Sequence, residues 1–226
     1  MAPATGEMVT FPNDSTNVTG YVAKPDGAGP FPGVIVIQEW WGLVPHIKDV
    51  ADRFAGEGFL ALAPDLYHGQ VAQEPDRAMQ LARSLAWDSA LHDLKASAKY
   101  LRSRPDCSGK VGVVGFCMGG GLSYRFAAHS NPDAAVIFYG SSPNQLEEAA
   151  TVACPVLGLY GETDTRITSQ APALAEAMKS HGKSFEYHVY PGAAHAFFND
   201  TGGAYNQAAA QDAWQRTLAF FRQHLR

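Results

Sequence analysis

The sequence predicts an α/β protein with a mostly parallel central sheet and helices on both faces of that sheet. Short β-rich runs alternate along the chain with helical stretches of about 10–15 residues, which is typical of parallel strands joined by helices. The run Gly33–Gln38 (GVIVIQ) is almost continuously apolar. Such a run is expected where helices cover both faces of a strand.

The first half of the chain begins with two strands around a polar turn and then alternates strands with helices. In the helix that follows Gly33–Gln38, apolar residues recur at spacings of three and four, so that they share one face. A later helix carries a leucine and alanine stripe, with Asp88 as its N-cap. The predicted strands are Glu7–Phe11, Val18–Ala23, Gly33–Gln38 and Phe59–Ala63, and the predicted helices are Pro45–Gly56, Asp76–Leu85 and Asp88–Arg102.

The second half continues this alternation, and Gly182 ends one of its helices. No linker rich in proline, glycine or serine divides the chain, so we expect one domain over residues 1–226. The predicted strands are Lys110–Gly115, Ala134–Tyr139, Pro155–Tyr160 and Ser184–Tyr190, and the predicted helices are Met118–His129, Ala171–His181 and Asn206–Arg222.

Charge and composition exclude several classes of function. Seventeen Lys and Arg residues against 22 Asp and Glu residues give a net charge of −5, and no basic run is present that would bind nucleic acid. The apolar stretches are too short to span a membrane, and the first fifteen residues do not resemble a secretion signal. Three cysteines without a CxxC pattern indicate a reducing compartment. We therefore expect a cytoplasmic protein with no nucleic-acid or membrane partner.

The strongest chemical signal is the segment GFCMGG at residues 115–120, directly after a predicted strand and at the start of a predicted helix. It has the spacing of a nucleophile elbow, G-x-S-x-G, with cysteine in place of serine. Glycines on both sides allow the sharp turn that exposes Cys117 at the edge of the sheet, next to a helix N-terminus that favours an anion. The alternative is a glycine-rich turn in which Cys117 is only a small buried apolar residue.

The expected partners of such a nucleophile, an acid and then a histidine, follow in that order along the chain. Asp164 follows the strand Pro155–Tyr160 and is the candidate orienting carboxylate, with Glu162 as its competitor in the same turn. His195 follows the strand Ser184–Tyr190 and is the candidate base. In a parallel sheet these positions lie at the same edge.

The loop after Gly33–Gln38 contains the second group of candidates. In enzymes with a nucleophile elbow of this kind, one backbone N–H of the oxyanion hole comes from this loop and one from the residue after the nucleophile. Here these would be the N–H groups of Trp40 and Met118. Glu39 stands beside them, and a carboxylate near a thiolate raises the pKa of the thiol. A solvated loop glutamate is the alternative for Glu39.

These segments together resemble the dienelactone hydrolase family of the α/β-hydrolase fold. The resemblance extends from about Gly6 to the last helix and is carried by QEWWG, ALAPDLYHG, KVGVVGFCMGG, YGETD and GAAHAF. It implies a Cys117–Asp164–His195 triad and a small-molecule ester or lactone substrate, with no cofactor and no metal. It also implies that Glu39 keeps the resting thiol neutral until substrate binding releases it to the histidine.

Two departures from the family pattern concern the substrate. Where the family has an arginine for the substrate carboxylate, four residues after the histidine, this chain has Asn199. The second arginine would fall near Pro75, and only Arg77 and Arg83 lie nearby. The resemblance therefore implies a broadened or shifted ester specificity. The aromatic residues expected to line the substrate pocket are Trp40, Tyr67, Phe138 and Phe197.

The sequence thus predicts a cysteine-dependent carboxylic ester or lactone hydrolase that acts through an acyl thioester. Two alternatives stay open at this point: an acyltransferase of the same fold, and a non-catalytic small-molecule binding module. A redox-sensing role for Cys117 is weaker, because no resolving cysteine is evident. Both a monomer and a homodimer agree with the sequence.

Overall fold

The computed structural model describes residues 6–14 and 16–226. Its strands are β1 (Glu7–Asn13), β2 (Thr16–Ala23), β3 (Phe31–Ile37), β4 (Leu60–Pro64), β5 (Cys107–Phe116), β6 (Ala134–Phe138), β7 (Val156–Gly161) and β8 (Phe185–Tyr190). Its α-helices are α1 (Pro45–Gly56), α2 (Pro75–Ser84), α3 (Trp87–Ser103), α4 (Met118–His129), α5 (Thr165–Thr168), α6 (Ala171–Ser180) and α7 (Gln207–His224).

The strands form an eight-stranded sheet in the order β1-β2-β4-β3-β5-β6-β7-β8. The pairs β1–β2 and β2–β4 are antiparallel, whereas β3–β4, β6–β7 and β7–β8 are parallel. This topology confirms the predicted α/β class with a mostly parallel sheet.

The chain is organised in two compact units whose boundary falls within β5. The first extends to Val113 and includes Leu225–Arg226, and the second is Val114–His224. The single domain expected from the sequence stays a prediction.

In the first unit, apolar strands lie between helices. Helices α1 and α3 both pack on β2, β3 and β4. The side chains of Val34–Ile37 point alternately to the two faces of β3, and all four are fully buried. Both faces of this strand are therefore covered, as the apolar run predicts.

The second unit has the same construction around β6 and β7. Every residue of these two strands is buried. Helices α4 and α7 pack on β6, α5 and α7 on β7, and α6 on β8. The carboxyl ends of β6, β7 and β8 lead directly into the loops that carry the candidate site residues.

The observed elements differ from the sequence prediction at a few places. Strand β5 begins at Cys107, three residues before the predicted strand Lys110–Gly115. The sequence did not indicate this extension, because Ser108–Lys110 are exposed and do not show the apolar pattern of a buried strand. Helix α3 begins at Trp87, with Ala86 and not Asp88 as its N-cap. The sequence did not predict α5 or the 3₁₀ helix Glu147–Thr151, because elements of four or five residues are too short to show a helical period.

None of the helices in the described ranges combines the length and the apolar character required to cross a bilayer.

Candidate active site

Cys117 occupies a strained position between β5 and α4. Its backbone has φ 56° and ψ −117°, a left-handed conformation that is costly for a residue with a side chain. Its N–H donates to the carbonyl of Phe138 at 3.0 Å, and its own carbonyl accepts from the N–H groups of Gly120 at 3.0 Å and Gly121 at 3.3 Å. The end of β6 and the first turn of α4 thus hold the strained residue in place.

Two glycines make this turn sterically feasible. A Cβ atom on Gly115 would lie 2.0 Å from the carbonyl oxygen of Gly119, and one on Gly120 would lie 2.7 Å from that of Phe138. Both obstacles are backbone atoms, which cannot rotate away as the end of a side chain can. Only hydrogen fits at these positions, which is the physical reason for the glycine spacing around Cys117.

The half-buried Cys117 lies at the N-terminus of α4, a helix of 12 residues. The positive end of a helix dipole stabilises an anion, and the thiolate is the nucleophilic form of cysteine. The position therefore suits a reactive thiol.

The loops after β7 and β8 bring Asp164 and His195 into contact. The Oδ2 atom of Asp164 lies 2.5 Å from Nδ1 of His195, a charge-assisted hydrogen bond. The side chain of Asp164 is 10% exposed and that of His195 is 37% exposed. The carboxylate is therefore sheltered, while the ring of His195 stays accessible.

Glu162, the competing carboxylate, has a different partner. Its Oε2 atom accepts from the N–H of Gly192 at 2.8 Å. The side chain of Glu162 is solvent-exposed, and its contact is to the backbone of the loop that carries His195. In this structure Asp164, and not Glu162, contacts the imidazole.

Thr163, which the sequence reasoning did not single out, lies between these two acids and holds the same loop. Its N–H and its Oγ1 donate to the carbonyl of Ala193 at 2.9 and 3.0 Å. Three consecutive residues of one turn thus bind the loop that carries His195. The available signal was their adjacency in the sequence ETD at 162–164.

Tyr139 is a second residue that the sequence reasoning missed. It directly follows β6 and has φ 38°, and its ring centroid lies 5.2 Å from that of His195. Its ring also packs edge-on against Phe197 at 5.3 Å. Tyr139 therefore forms one wall against the imidazole. Its place directly after a buried strand was the signal that could have identified it.

Phe138 and Phe197, expected to line the substrate pocket, are fully buried. Phe138 packs within an aromatic cluster, with its ring centroid 4.7 Å from that of Phe116 and 4.9 Å from that of Phe198. Both rings thus belong to the buried core in this structure, and the substrate-lining role expected for them stays a prediction.

The remaining predicted residues follow β3 and β4 in the first unit. Glu39 is 2% exposed, Trp40 is half-buried and packs edge-on against Trp41 at 5.1 Å, and Tyr67 is buried. The neighbouring Gln38 accepts from the N–H of Leu66 at 3.2 Å, which ties the two loops together. The roles predicted for Glu39, Trp40 and Tyr67 stay predictions.

Asn199, four residues after His195, is buried and occupied within its own loop. Its Oδ1 atom accepts from the N–H of Thr201 at 3.0 Å and from the hydroxyl of Thr201 at 2.6 Å. This side chain therefore stabilises a turn.

Among the residues that the structure describes, no group of three or more His, Cys, Asp or Glu side chains is arranged to hold a metal ion.

Comparison with known proteins points to one family. The sequence pattern of the Dienelactone hydrolase family matches residues 18–225. Protein usf of Aquifex pyrophilus is 39% identical over 231 residues, covering 97% of this chain and 99% of that protein. A protein of Saccharolobus solfataricus, provisionally named carboxymethylenebutenolidase, is 32% identical and covers 95% of this chain and 97% of its own length.

Solved structures agree with this result. A provisionally named dienelactone hydrolase from Klebsiella pneumoniae has a TM-score of 0.89 and 34% sequence identity, covering 96% of this chain and 98% of its own. A dienelactone hydrolase-like promiscuous phosphotriesterase from metagenomic libraries has a TM-score of 0.91 at 24% identity over the whole of both chains, a likeness of fold alone.

Proposed function

Since this chain belongs to the dienelactone hydrolase family, we propose that it hydrolyses carboxylic esters or lactones through a thioester formed on Cys117. The observation that carries this proposal is the hydrogen bond between Asp164 and His195, in the same compact unit as the strained Cys117. Hydrolases of this type need these three groups in these roles.

The proposed reaction begins when His195 accepts the thiol proton of Cys117 at Nε2. Asp164 accepts a hydrogen bond from Nδ1–H, so the neutral ring presents the unprotonated Nε2 as the base. The sulfur forms a bond to the carbonyl carbon of the ester, and the carbonyl electron pair moves to oxygen.

The resulting oxyanion needs hydrogen-bond donors. We assign this role to the N–H groups of Trp40 and Met118, the latter directly after the proposed nucleophile at the N-terminus of α4. Each such donor can lower the barrier by about 3 kcal/mol.

Collapse of this intermediate breaks the ester C–O bond and leaves an acyl thioester. The departing alkoxide takes the proton from Nε2 of His195. Water then attacks the thioester, and His195 accepts one proton from it. The C–S bond breaks, the carboxylic acid leaves, and the proton on His195 returns to the sulfur of Cys117.

From the family resemblance we also propose that Glu39 controls the thiol before substrate binds. A carboxylate raises the pKa of a thiol in its vicinity and keeps it protonated. Glu39 is a buried acid in the loop after β3, which is an unusual environment for a carboxylate. Such control would restrict the reactive thiolate to the substrate complex.

The proposed nucleophile requires a reducing environment. Cys107 and Cys154 are thiols like Cys117 in this structure. Cytosolic glutathione and thioredoxin keep thiols reduced. We therefore propose that the protein works in the cytoplasm.

Intact-mass spectrometry after brief mixing with p-nitrophenyl acetate tests the mechanism. The expected result is a transient acetyl adduct on Cys117 that disappears as p-nitrophenol and acetate are released. Cys117→Ala should give no adduct and no turnover, and Cys107→Ala, a matched change at a half-buried thiol, should keep both. Turnover of the ester by Cys117→Ala at the wild-type rate would disprove the thioester mechanism.

We further propose that the enzyme prefers uncharged esters to substrates with a free carboxylate. The support is Asn199, whose amide oxygen is engaged by Thr201 and which carries no charge to pair with a carboxylate. An ionic hydrogen bond contributes about 1.5–3 kcal/mol, so its loss lowers kcat/KM by about 10-fold or more.

A matched pair of substrates measures this preference: a dienelactone carboxylate and the methyl ester of the same compound. We expect the methyl ester to have the higher kcat/KM. A higher kcat/KM for the carboxylate would show that a cation elsewhere binds it, and would contradict the proposed preference.

A further inference from the structure

Strand β8 is the last strand of the sheet and has one paired side. It pairs in parallel with β7, from Val156↔Phe185 to Gly161↔Tyr190. In the part of the chain that the structure describes, no other strand pairs with it. An edge strand presents a row of backbone donors and acceptors that a further strand can bind.

The register shows which residues present these groups. The carbonyl of Ser184 accepts from Val156 at 3.0 Å, and the carbonyl of Tyr190 accepts from Glu162 at 3.0 Å. In a strand the N–H and C=O of one residue point to the same side, and this side alternates along the chain. The even-numbered residues of β8 therefore bond to β7, and Phe185, Tyr187 and Val189 point their backbone groups outward.

The side chains of this edge form a pattern centred on Tyr187. Phe185 and Tyr187 stack on one face with ring centroids 5.8 Å apart, and Tyr187 is 39% exposed. On the other face, Glu186 and His188 flank Tyr187 on its two sides. Tyr187 therefore has a carboxylate side chain before it and an imidazole side chain after it, two groups that can form a hydrogen bond with each other.

We propose that β8 pairs antiparallel with β8 of a second copy of this chain, about a two-fold axis at Tyr187. Tyr187 then lies opposite its own counterpart, and Phe185 lies opposite Val189, in the pairs that exchange backbone hydrogen bonds. Glu186 lies opposite His188 of the other copy, and the symmetry creates this pair twice. Aromatic pairs, hydrogen-bonded pairs and opposite-charge pairs are the side-chain combinations that stabilise neighbouring strands.

The other end of the sheet lacks these properties. Strand β1 contains Pro12, which has no N–H to donate and is typical of edges that avoid pairing. A pairing centred on its middle residue, Thr10, would place Val9 opposite Phe11 and Met8 opposite Pro12, with no complementary charge. The self-complementary pattern is therefore a property of β8.

The face of β8 that carries the charged side chains also borders a groove of about 220 Å³ against α7. Its lining includes Glu186, His188, Arg216 and Phe220. The lining carries both charge signs and the ring of Phe220, so the groove can receive Glu186 or His188 of the second copy. The hydrogen bond of Arg216 to Asp212 at 2.5 Å keeps this cation at the groove.

Sedimentation velocity at increasing protein concentration tests the association, and charge variants test the register. We expect a dimer for the wild type. His188→Glu places a carboxylate opposite Glu186 twice, so the dissociation constant should rise about 10-fold or more. The double variant Glu186→His/His188→Glu exchanges the two side chains, so each glutamate again lies opposite a histidine, and it should restore the dimer. His92→Glu, the same change at an exposed position on α3, should have no effect.

Cysteine cross-linking tests the position of the axis independently of charge. Tyr187→Cys brings two thiols to directly opposite positions, about 5.5 Å apart between Cα atoms, which a disulfide can bridge. Glu186→Cys places them on a diagonal of about 7–8 Å, which is too long. We expect a 187–187 cross-linked peptide by mass spectrometry and no 186–186 peptide.

The proposal would be overturned by a wild-type protein that is monomeric at every concentration. A dimer that neither His188→Glu weakens nor Tyr187→Cys cross-links would overturn it as well, because the contact would then lie elsewhere. None of these readouts depends on catalytic activity.

Discussion

We expect Asp164→Asn to lower kcat for ester hydrolysis by about 10²–10⁴-fold, with the fold unchanged. The asparagine amide can donate to Nδ1 of His195, which stabilises the tautomer protonated at Nε2. That tautomer has no lone pair at Nε2 with which to accept the thiol proton. The lower end of the range takes account of the thiol, which ionises more readily than a serine hydroxyl and depends less on a base.

Glu162→Gln is the matched control for this variant. The amide oxygen of glutamine can still accept from Gly192, so the loss in kcat should stay below about threefold, in line with the small contribution of an exposed hydrogen bond. Steady-state kinetics and circular dichroism of both variants give the comparison. If Asp164→Asn kept kcat within threefold of the wild type, or if Glu162→Gln gave the larger loss, the role of Asp164 would be refuted.

We expect Gly115→Ala to destabilise the protein by about 3 kcal/mol or more. Its added methyl group would meet the carbonyl oxygen of Gly119 at 2.0 Å and the carbonyl carbon at 2.3 Å. Both atoms belong to the first turn of α4, so the strand and the helix must separate to make room. The free energy of unfolding, measured with urea, should fall accordingly.

Gly56→Ala provides the comparison, because a Cβ at the last residue of α1 meets no atom within 4 Å. Alanine has the higher helix propensity, so this variant should be as stable as the wild type or more stable by up to about 1 kcal/mol. Equal unfolding midpoints for the two variants would contradict the steric account of the elbow.

Much of the fold follows from local patterns in the sequence. Strands β3, β4, β6 and β7 are short apolar runs, and α1 has apolar residues at spacings of three and four. A continuous apolar run indicates a strand buried on both faces, and apolar residues at spacings of three and four indicate a helix buried on one face. Both patterns can be read from residues that are close together in the sequence. The turn around Cys117 was predictable for the same reason, since its glycines are required by atoms only a few residues away.

The partners of the turn at residues 162–164 were not predictable in this way. Glu162 and Asp164 are both carboxylates after one strand, and only the backbone of the turn directs Asp164 to His195 and Glu162 to Gly192. Thr163 holds the loop that carries His195 by donating a hydrogen bond to the carbonyl of Ala193, which is 30 residues further along the chain. A sequence pattern contains no information on the direction of such contacts.

The sequence by itself thus determined the fold class, the place of the elbow and the candidate triad residues. The tertiary structure decided which acid contacts the imidazole, placed Tyr139 beside that ring, and buried the side chains of Phe138 and Phe197. Strand and helix patterns arise from interactions within a few residues. The orientation of a side chain in a loop depends on the packing of segments distant in sequence, which exists only after the chain has folded.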